Sequence, residues 1–202
     1  MKTLKWSSAA LAILLLAACS QENRSGLPET ETTGTVQSAG ETSSATATTT
    51  GQTGGTSSAL SPDDKQFLSE AGTANLYEIG AARIALQKAS NAEVKAFAQR
   101  ILSDHTQSGE ELSQLATVKG TALPTELDGE PEEAIQHLTS LTGAEFDKAY
   151  MQHMTPGHQK SIAAFERAAS GAADADVKAW AGKVLPTLRE HLRLAVEVGG
   201  KV

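Results

Sequence analysis

Four side chains that can bind a metal ion fall on the apolar stripes of the helices that the sequence predicts, one on each long helix. They are Glu78, His105, His158 and His191. Each lies a helical turn or two from apolar neighbours, as His105 does from Ile101, and this spacing places a side chain on the face that packs against other helices. Bundle proteins build metal sites from such inward-facing carboxylates and imidazoles. The four residues therefore indicate a candidate site for a transition metal (iron, zinc, copper or manganese).

The distances of these residues from their helix ends place them near one level. The number of residues between each of Glu78, His105 and His158 and its helix end differs by two at most. His191 lies farther from its helix end, by roughly one turn at ~1.5 Å per residue. We expect Glu78 and His105 to face the bundle centre at one height. His158 should lie opposite them, with His191 within about a turn.

A structural role for the same residues is the alternative. Di-iron carboxylate sites in bundles use two Glu-x-x-His pairs, and the chain contains no Glu-x-x-His sequence. A buried glutamate and three histidines can instead form an interhelical hydrogen-bond network that fixes the register of the helices. The sequence leaves both interpretations open, and no catalytic residue is assigned.

The elements that must position these residues are helical. Ser61 precedes a proline and two acidic residues, Ser90 begins a capping box, and Asp174 is a further N-cap. These signals predict long helices over residues 62–89, 92–119, 143–169 and 174–197, with a short fifth helix opened by Pro131. No run alternates with period two, so no sheet is expected. Short connections within each pair and a long one between the pairs predict an all-α, antiparallel four-helix bundle.

The two helix pairs resemble one another in sequence. The run Val94-Lys95-Ala96-Phe97-Ala98 recurs as Val177-Lys178-Ala179-Trp180-Ala181. An internal duplication is a plausible origin, although shared patterning of helix pairs can imitate one.

The N-terminal region is typical of a bacterial lipoprotein. A basic start and a short apolar stretch end in Leu16-Ala17-Ala18-Cys19, the arrangement of a secretory leader that closes with a lipobox. We expect residues 1–18 to be the leader and Cys19, the chain's single cysteine, to carry the acyl chains. Ser20 follows, not the aspartate that tends to retain lipoproteins in the inner membrane. The prediction is a protein anchored to the outer membrane and facing the periplasm.

A tether is expected between the anchor and the bundle. Residues 19–60 are rich in Thr, Ser and Gly and contain few large apolar side chains. Such a composition cannot bury enough surface to offset the entropy of ordering, so it predicts a flexible linker. The folded domain should then span residues 61–202.

Charge and motif content exclude several functions. Removal of Lys2 and Lys5 with the leader leaves 15 of the 17 basic residues against 24 acidic ones, a formal charge of about −9. This surplus argues against nucleic acid, which requires a basic footprint. The sequence also contains no glycine-rich phosphate loop, nucleophile elbow or Cys/His zinc cluster.

Several short motifs are shared with a known protein family. They are Asn75-Leu76-Tyr77-Glu78-Ile79-Gly80, Phe97-Ala98-Gln99, Asp104-His105-Thr106, Gly143-Ala144-Glu145-Phe146-Asp147, Tyr150-Met151 and Leu185-Pro186-Thr187-Leu188-Arg189-Glu190-His191-Leu192. Over about residues 62–197 the chain resembles the bacterial domain-of-unknown-function family 4142. That resemblance implies a ferritin-like bundle in the bacterial envelope and brings no established activity. The family usually has an Asp-His pair where this chain has Gly157-His158, which weakens any inherited metal site.

Two functions follow as expectations. The first is a non-enzymatic envelope interaction module or stress-related accessory module, anchored in the membrane by its lipid, whose partner is another envelope protein or a second copy of the chain. The second is a metal-binding bundle that uses Glu78, His105, His158 and His191.

Overall fold

The computed structural model describes residues 59–202, which form five α-helices and, within that range, no strand. The all-α prediction is therefore confirmed for this part of the chain. The predicted leader, Cys19 and all but the last two residues of the predicted tether lie outside the described residues. None of the described helices is both long and apolar enough to cross a bilayer. The helices are α1 (Pro62–Lys88), α2 (Ala92–Val118), α3 (Gly129–Ser140), α4 (Gly143–Gly171) and α5 (Ala175–Gly199).

The helices pack as a bundle of two pairs. Helices α1 and α2 pack along each other, as do α4 and α5, and each pair has a connection of three residues. Further contacts of α1 with α4, and of α2 with α5, join the pairs. The short helix α3 belongs to the connection between the pairs and lies mainly against α1.

The helix starts agree with the sequence signals at two places and differ at two. The Ser61 hydroxyl accepts a hydrogen bond from the Asp64 amide (3.0 Å), and Asp174 accepts from the amide of Val177 (3.1 Å). At α2 the N-cap is Asn91 and not Ser90. Helix α3 begins two residues before Pro131, which its first turn tolerates because no amide is needed there.

The apolar core has two parts, and the candidate site residues fall between them along each helix. Ile101, Met154 and Ala195 belong to one cluster of buried apolar side chains. Leu112, Phe165 and Leu188 belong to the other. His105, His158 and His191 lie between these positions on α2, α4 and α5, and all three are buried. A polar layer therefore interrupts the core.

Candidate metal centre

Three histidines from three helices meet in this polar layer. One ring nitrogen from each of His105, His158 and His191 lies within 4.8 Å of the corresponding atom of the other two. The ring centroids are 5.3 to 6.0 Å apart. The residues are 7%, 1% and 1% exposed, respectively, so water has almost no access to them.

The orientation of the His158 ring is fixed by its own helix. Its Nδ1 lies 2.9 Å from the carbonyl oxygen of Met154, one turn earlier on α4. A carbonyl oxygen only accepts, so Nδ1 carries the proton and donates. The lone pair of His158 is therefore on Nε2, which is buried and has no hydrogen-bond partner.

The His191 ring is held by a carboxylate from a different helix. Its Nε2 donates to Oδ2 of Asp104 on α2 at 2.9 Å. The same oxygen accepts from Nε of Arg100, one turn earlier on α2. Because Nε2 carries the proton, the lone pair of His191 is on Nδ1, which is buried without a partner.

The His105 ring is held by an amide from α1. Its Nδ1 lies 3.2 Å from Oδ1 of Asn75, an oxygen that also accepts from the Ser108 hydroxyl at 3.4 Å. The Asn75 amide nitrogen packs against Gly109, where a Cβ atom would overlap with it. Nδ1 of His105 therefore donates, and Nε2 is left buried and unpartnered.

The three rings share one arrangement. Each has one nitrogen occupied by an acceptor outside the group and one buried nitrogen with a free lone pair. Metal-binding histidines are typically held in this way, since the outer hydrogen bond fixes the tautomer and the orientation of the ring. A polar network that served only to fix helix register would instead satisfy these nitrogens, because an unpaired buried polar atom costs about 1–3 kcal/mol.

Burial keeps the rings in the form that binds metal. Loss of hydration, with a smaller contribution from the neighbouring rings, lowers the pKa of His105 to about 3 and that of His158 to about 4, although the hydrogen bond to Met154 opposes the shift of His158. Burial also lowers the pKa of His191, although Asp104 opposes the shift. All three imidazoles are therefore neutral near pH 7.

Glu78 lies beside the group and outside it. Its Oε1 is 3.7 Å from Nδ1 of His158, the nitrogen that bonds Met154, and its Oε2 has no partner. Burial raises the pKa of Glu78 to about 8, so the carboxyl is protonated near pH 7. The contact with the neutral His158 is consequently not an ion pair.

The donor set fits a transition metal. Metal–nitrogen bonds to histidine are roughly 2.0–2.1 Å, which in a tetrahedral site puts the nitrogens ~3.3 Å apart. Each ring already offers a nitrogen within 4.8 Å of a nitrogen of the other two, so the rings must come closer together to bind one ion. Three protein ligands leave a fourth position open, as in exchangeable sites and not in closed structural ones.

The sequence pattern predicted the three histidines of the group together with Glu78, which the structure places outside it, and did not predict the residues that orient the rings. His191 belongs to the group, although its distance in residues from the helix end predicted a displacement of about one turn. The position of a Cα atom along the helix axis does not determine where the ring nitrogens of its side chain lie. Asp104 and Asn75 were missed. Asp104 is adjacent to His105 in sequence, and its contact with His191 depends on how α2 and α5 are rotated, which periodicity does not determine.

Solved structures with a similar fold include metal-bound proteins. A DUF305 fragment from Deinococcus radiodurans superposes with a TM-score of 0.64 at 16% identity, over 72% of this chain and all of that one. CopM in its Cu(I)-bound form gives a TM-score of 0.56 at 16% identity, over 66% of this chain and 93% of CopM. CopM in an Ag-bound form gives a TM-score of 0.54 at 18% identity, over 66% of this chain and 93% of CopM. At these identities the likeness shows the fold alone.

The sequence comparison gives the family. No curated protein matches the chain significantly. The model of the DUF4142 domain of unknown function matches residues 49–198, nearly three quarters of the chain, and the chain therefore belongs to the DUF4142 family.

Proposed function

We propose that this protein binds a single transition-metal ion, copper in its Cu(I) state, through His105, His158 and His191. The observation that carries the proposal is a set of three buried, unpartnered ring nitrogens, one on each of three histidines. The three rings meet in the core, where each offers a nitrogen within 4.8 Å of a nitrogen of the other two. Each unpartnered nitrogen is presented by a ring whose other nitrogen is already hydrogen-bonded. Forming three metal–nitrogen bonds would satisfy all three at once.

The chemistry of the ligands favours copper over manganese. Imidazole suits zinc, copper, iron and nickel, whereas manganese prefers oxygen donors. No carboxylate belongs to the described group of ligand atoms. The solved proteins of similar fold include CopM in Cu(I)-, Cu(II)- and Ag-bound forms, which supports copper as the first ion to test.

The charge of the surroundings favours the monovalent state. The three ligands are neutral, and Glu78, with its pKa at about 8, is also neutral near pH 7. Among residues 59–202, the carboxylate that is hydrogen-bonded to a ligand ring is that of Asp104. The cost of burying an ion grows with the square of its charge, so a dication costs about four times as much as a monocation.

The cellular setting remains part of the proposal. We place the protein on the periplasmic side of the outer membrane, anchored through Cys19, with a ferritin-like antiparallel four-helix bundle at residues 61–202. Its role there is non-enzymatic: it binds metal as an accessory module of the envelope. The contacts between the helix pairs and the likeness of the chain to CopM and the DUF305 fragment support the bundle.

A direct titration tests the function. The protein is prepared without a His tag and with Cys19→Ser, because a free thiolate would compete for copper. We expect one equivalent of Cu(I) to bind, measured anaerobically against a chromophoric chelator, and the melting temperature to rise. Free ligand at 100 times Kd should stabilise the fold by about 2.7 kcal/mol.

Two histidine variants complete the experiment. His105→Leu should abolish binding and retain the fold, since the apo protein loses a buried unpaired nitrogen. His137→Ala changes an exposed histidine on α3 and should bind as the parent does. Failure of Cu(I) to bind, or unchanged binding by His105→Leu, would refute the proposal.

A further inference from the structure

A cleft between α2 and α5 reaches the candidate metal centre. It has a volume of about 120 Å³, and His105, His191 and Asp104 belong to its wall. Two larger cavities elsewhere in residues 59–202 are lined by none of the three histidines. The cleft is therefore the described cavity with the most direct access to the ligands.

The centre is closed in the present conformation. His158 and His191 are each 1% exposed, and the three free nitrogens have no measurable exposure. The His191 ring is held by Asp104, which also accepts from Arg100. An ion that enters from the cleft must loosen these contacts.

The cleft carries two ion pairs. Arg100 pairs with Asp104 on one wall, and Lys183 of α5 pairs with Glu111 of α2 at 2.7 Å. The carboxylates of Asp104 and Glu111 can bind a hydrated cation through oxygen. The basic groups of Arg100 and Lys183 repel a cation and are paired with those same carboxylates. Removing either basic group leaves the cleft with a net negative charge.

We infer that this cleft is the route by which the metal ion enters and leaves the three-histidine centre, and that the Arg100–Asp104 ion pair is its gate. The inference rests on the proposed metal binding. The ion passes Asp104 and exchanges water and carboxylate oxygens for ring nitrogens. Arg100 swings out to solvent when it releases Asp104, as its 54% exposure allows.

A steric test uses two glutamines of α2. Gln107 is exposed and lines the cleft, whereas Gln114, two turns later, is exposed and lies outside it. Gln107→Trp should slow both the uptake and the release of Cu(I), measured by stopped flow, by roughly tenfold while Kd stays unchanged. Gln114→Trp should change neither rate.

A charge test uses two arginines in similar ion pairs. Arg100 is 54% exposed, and Arg189, paired with Glu166 at 2.9 Å, is 58% exposed. Arg100→Gln should raise the uptake rate of Cu(I) by roughly threefold to tenfold at low ionic strength. Arg189→Gln removes the same charge from outside the cleft and should leave the rate within twofold of the parent (~0.4 kcal/mol).

The outcomes separate the inference from the function on which it rests. If Cu(I) fails to bind at equilibrium, both fall. If it binds with a normal Kd and both tryptophan variants show the parent's rates, the function stands and the route is wrong. If Arg100→Gln and Arg189→Gln accelerate uptake equally, the effect is one of net charge and the gate is refuted.

Discussion

Asp64 and Asp147 lie 83 positions apart, and each binds the start of a helix in the opposite helix pair. Asp64 on α1 accepts from the amides of Ala173 and Asp174, at 3.2 and 3.0 Å, where α5 begins. Asp147 on α4 accepts from the amides of Ser90 and Asn91, at 3.0 and 2.9 Å, where α2 begins. Both carboxylates are buried. Each helix pair thus supplies one buried aspartate that accepts hydrogen bonds from the amides at a helix start of the other pair.

The separation of 83 residues also relates the two recurring sequence runs. Val94 and Val177 are 83 positions apart, as are Phe97 and Trp180. The reciprocal aspartates therefore support the duplication that the sequence suggested, because shared helix patterning alone does not require buried carboxylates at matching positions.

Removing either aspartate should destabilise the fold by a similar amount. Asp64→Ala and Asp147→Ala each leave two amides at a helix start without their charged acceptor, and such bonds contribute about 1.5–3 kcal/mol each. We expect a loss of roughly 2–4 kcal/mol in the free energy of unfolding, measured with urea.

The matched controls are exposed acidic neighbours near the starts of the same helices. Asp63→Ala and Glu145→Ala should each cost roughly 0.5 kcal/mol or less. Equal losses for the buried and the exposed variants would contradict a role for the aspartates in joining the pairs.

The same separation shows why the candidate site could be predicted only in part. The positions equivalent to His158 and His191 in the first pair are Asn75 and Ser108, and the position equivalent to His105 in the second is Leu188. Asn75 and Ser108 contact each other and His105. The three histidines of the candidate site therefore have no histidine at the equivalent positions of the other helix pair, so the internal repeat gave no signal for them.

Periodicity determined the helices and which residues face inward, since helical spacing alone fixes the apolar stripe. It did not determine ring tautomers, the contact between Asp104 and His191, or the position of Glu78 behind the His158 ring. Those depend on the rotation of each helix about its axis and on contacts between residues distant in sequence.

Glu78 should give the free energy of unfolding a distinct pH dependence. Its pKa is raised from 4.5 to about 8 in the folded protein, so its contribution is fully present below about pH 4.5 and is lost as the pH rises through 8. Relative to Glu78→Gln, the parent should lose stability on the order of 1 kcal/mol per pH unit across this range.

Urea unfolding of both proteins at pH 5, 6, 7 and 8 measures this difference, and the contribution of the histidines cancels because both proteins carry them. If the free energies of unfolding of the parent and of Glu78→Gln differ by the same amount at every pH from 5 to 8, Glu78 is ionised in the folded state and the prediction is wrong.

Cu(I) binding should be insensitive to pH in the mildly acidic range. The pKa values of His105 and His158 are lowered to about 3 and about 4, so protons compete with the metal at these two rings only below about pH 5. Burial also lowers the pKa of His191 from its ordinary value, against the opposing effect of Asp104. A site made of histidines with the ordinary pKa of about 6.5 would lose affinity steeply below pH 6.5. Chelator competition at pH 7.5, 6.5 and 5.5 distinguishes the two, and a steep loss of affinity by pH 5.5 would contradict the buried, neutral rings.

Gly109 should control metal affinity without touching the metal. A Cβ atom at this position would overlap with the Asn75 amide nitrogen, so Gly109→Ala must rotate the Asn75 side chain away from its contact with His105. Loss of the hydrogen bond that orients a ligand histidine typically lowers metal affinity by about 10–100-fold. We expect that loss in Gly109→Ala and in Asn75→Ala, with the fold retained.

The combined variant and a second glycine make this prediction specific. Gly109→Ala with Asn75→Ala should bind no more weakly than either single variant, because both act through the same contact. A Cβ atom on Gly157, next to His158, would lie 3.8 Å from Oε1 of Glu78, an ordinary contact. Gly157→Ala should therefore keep the parent's affinity, although it makes the same change inside a helix. If Gly109→Ala and Asn75→Ala bind copper as the parent does, Asn75 does not position His105. If Gly109→Ala and Gly157→Ala weaken binding equally, the effect comes from the added methyl group in a helix and not from Asn75.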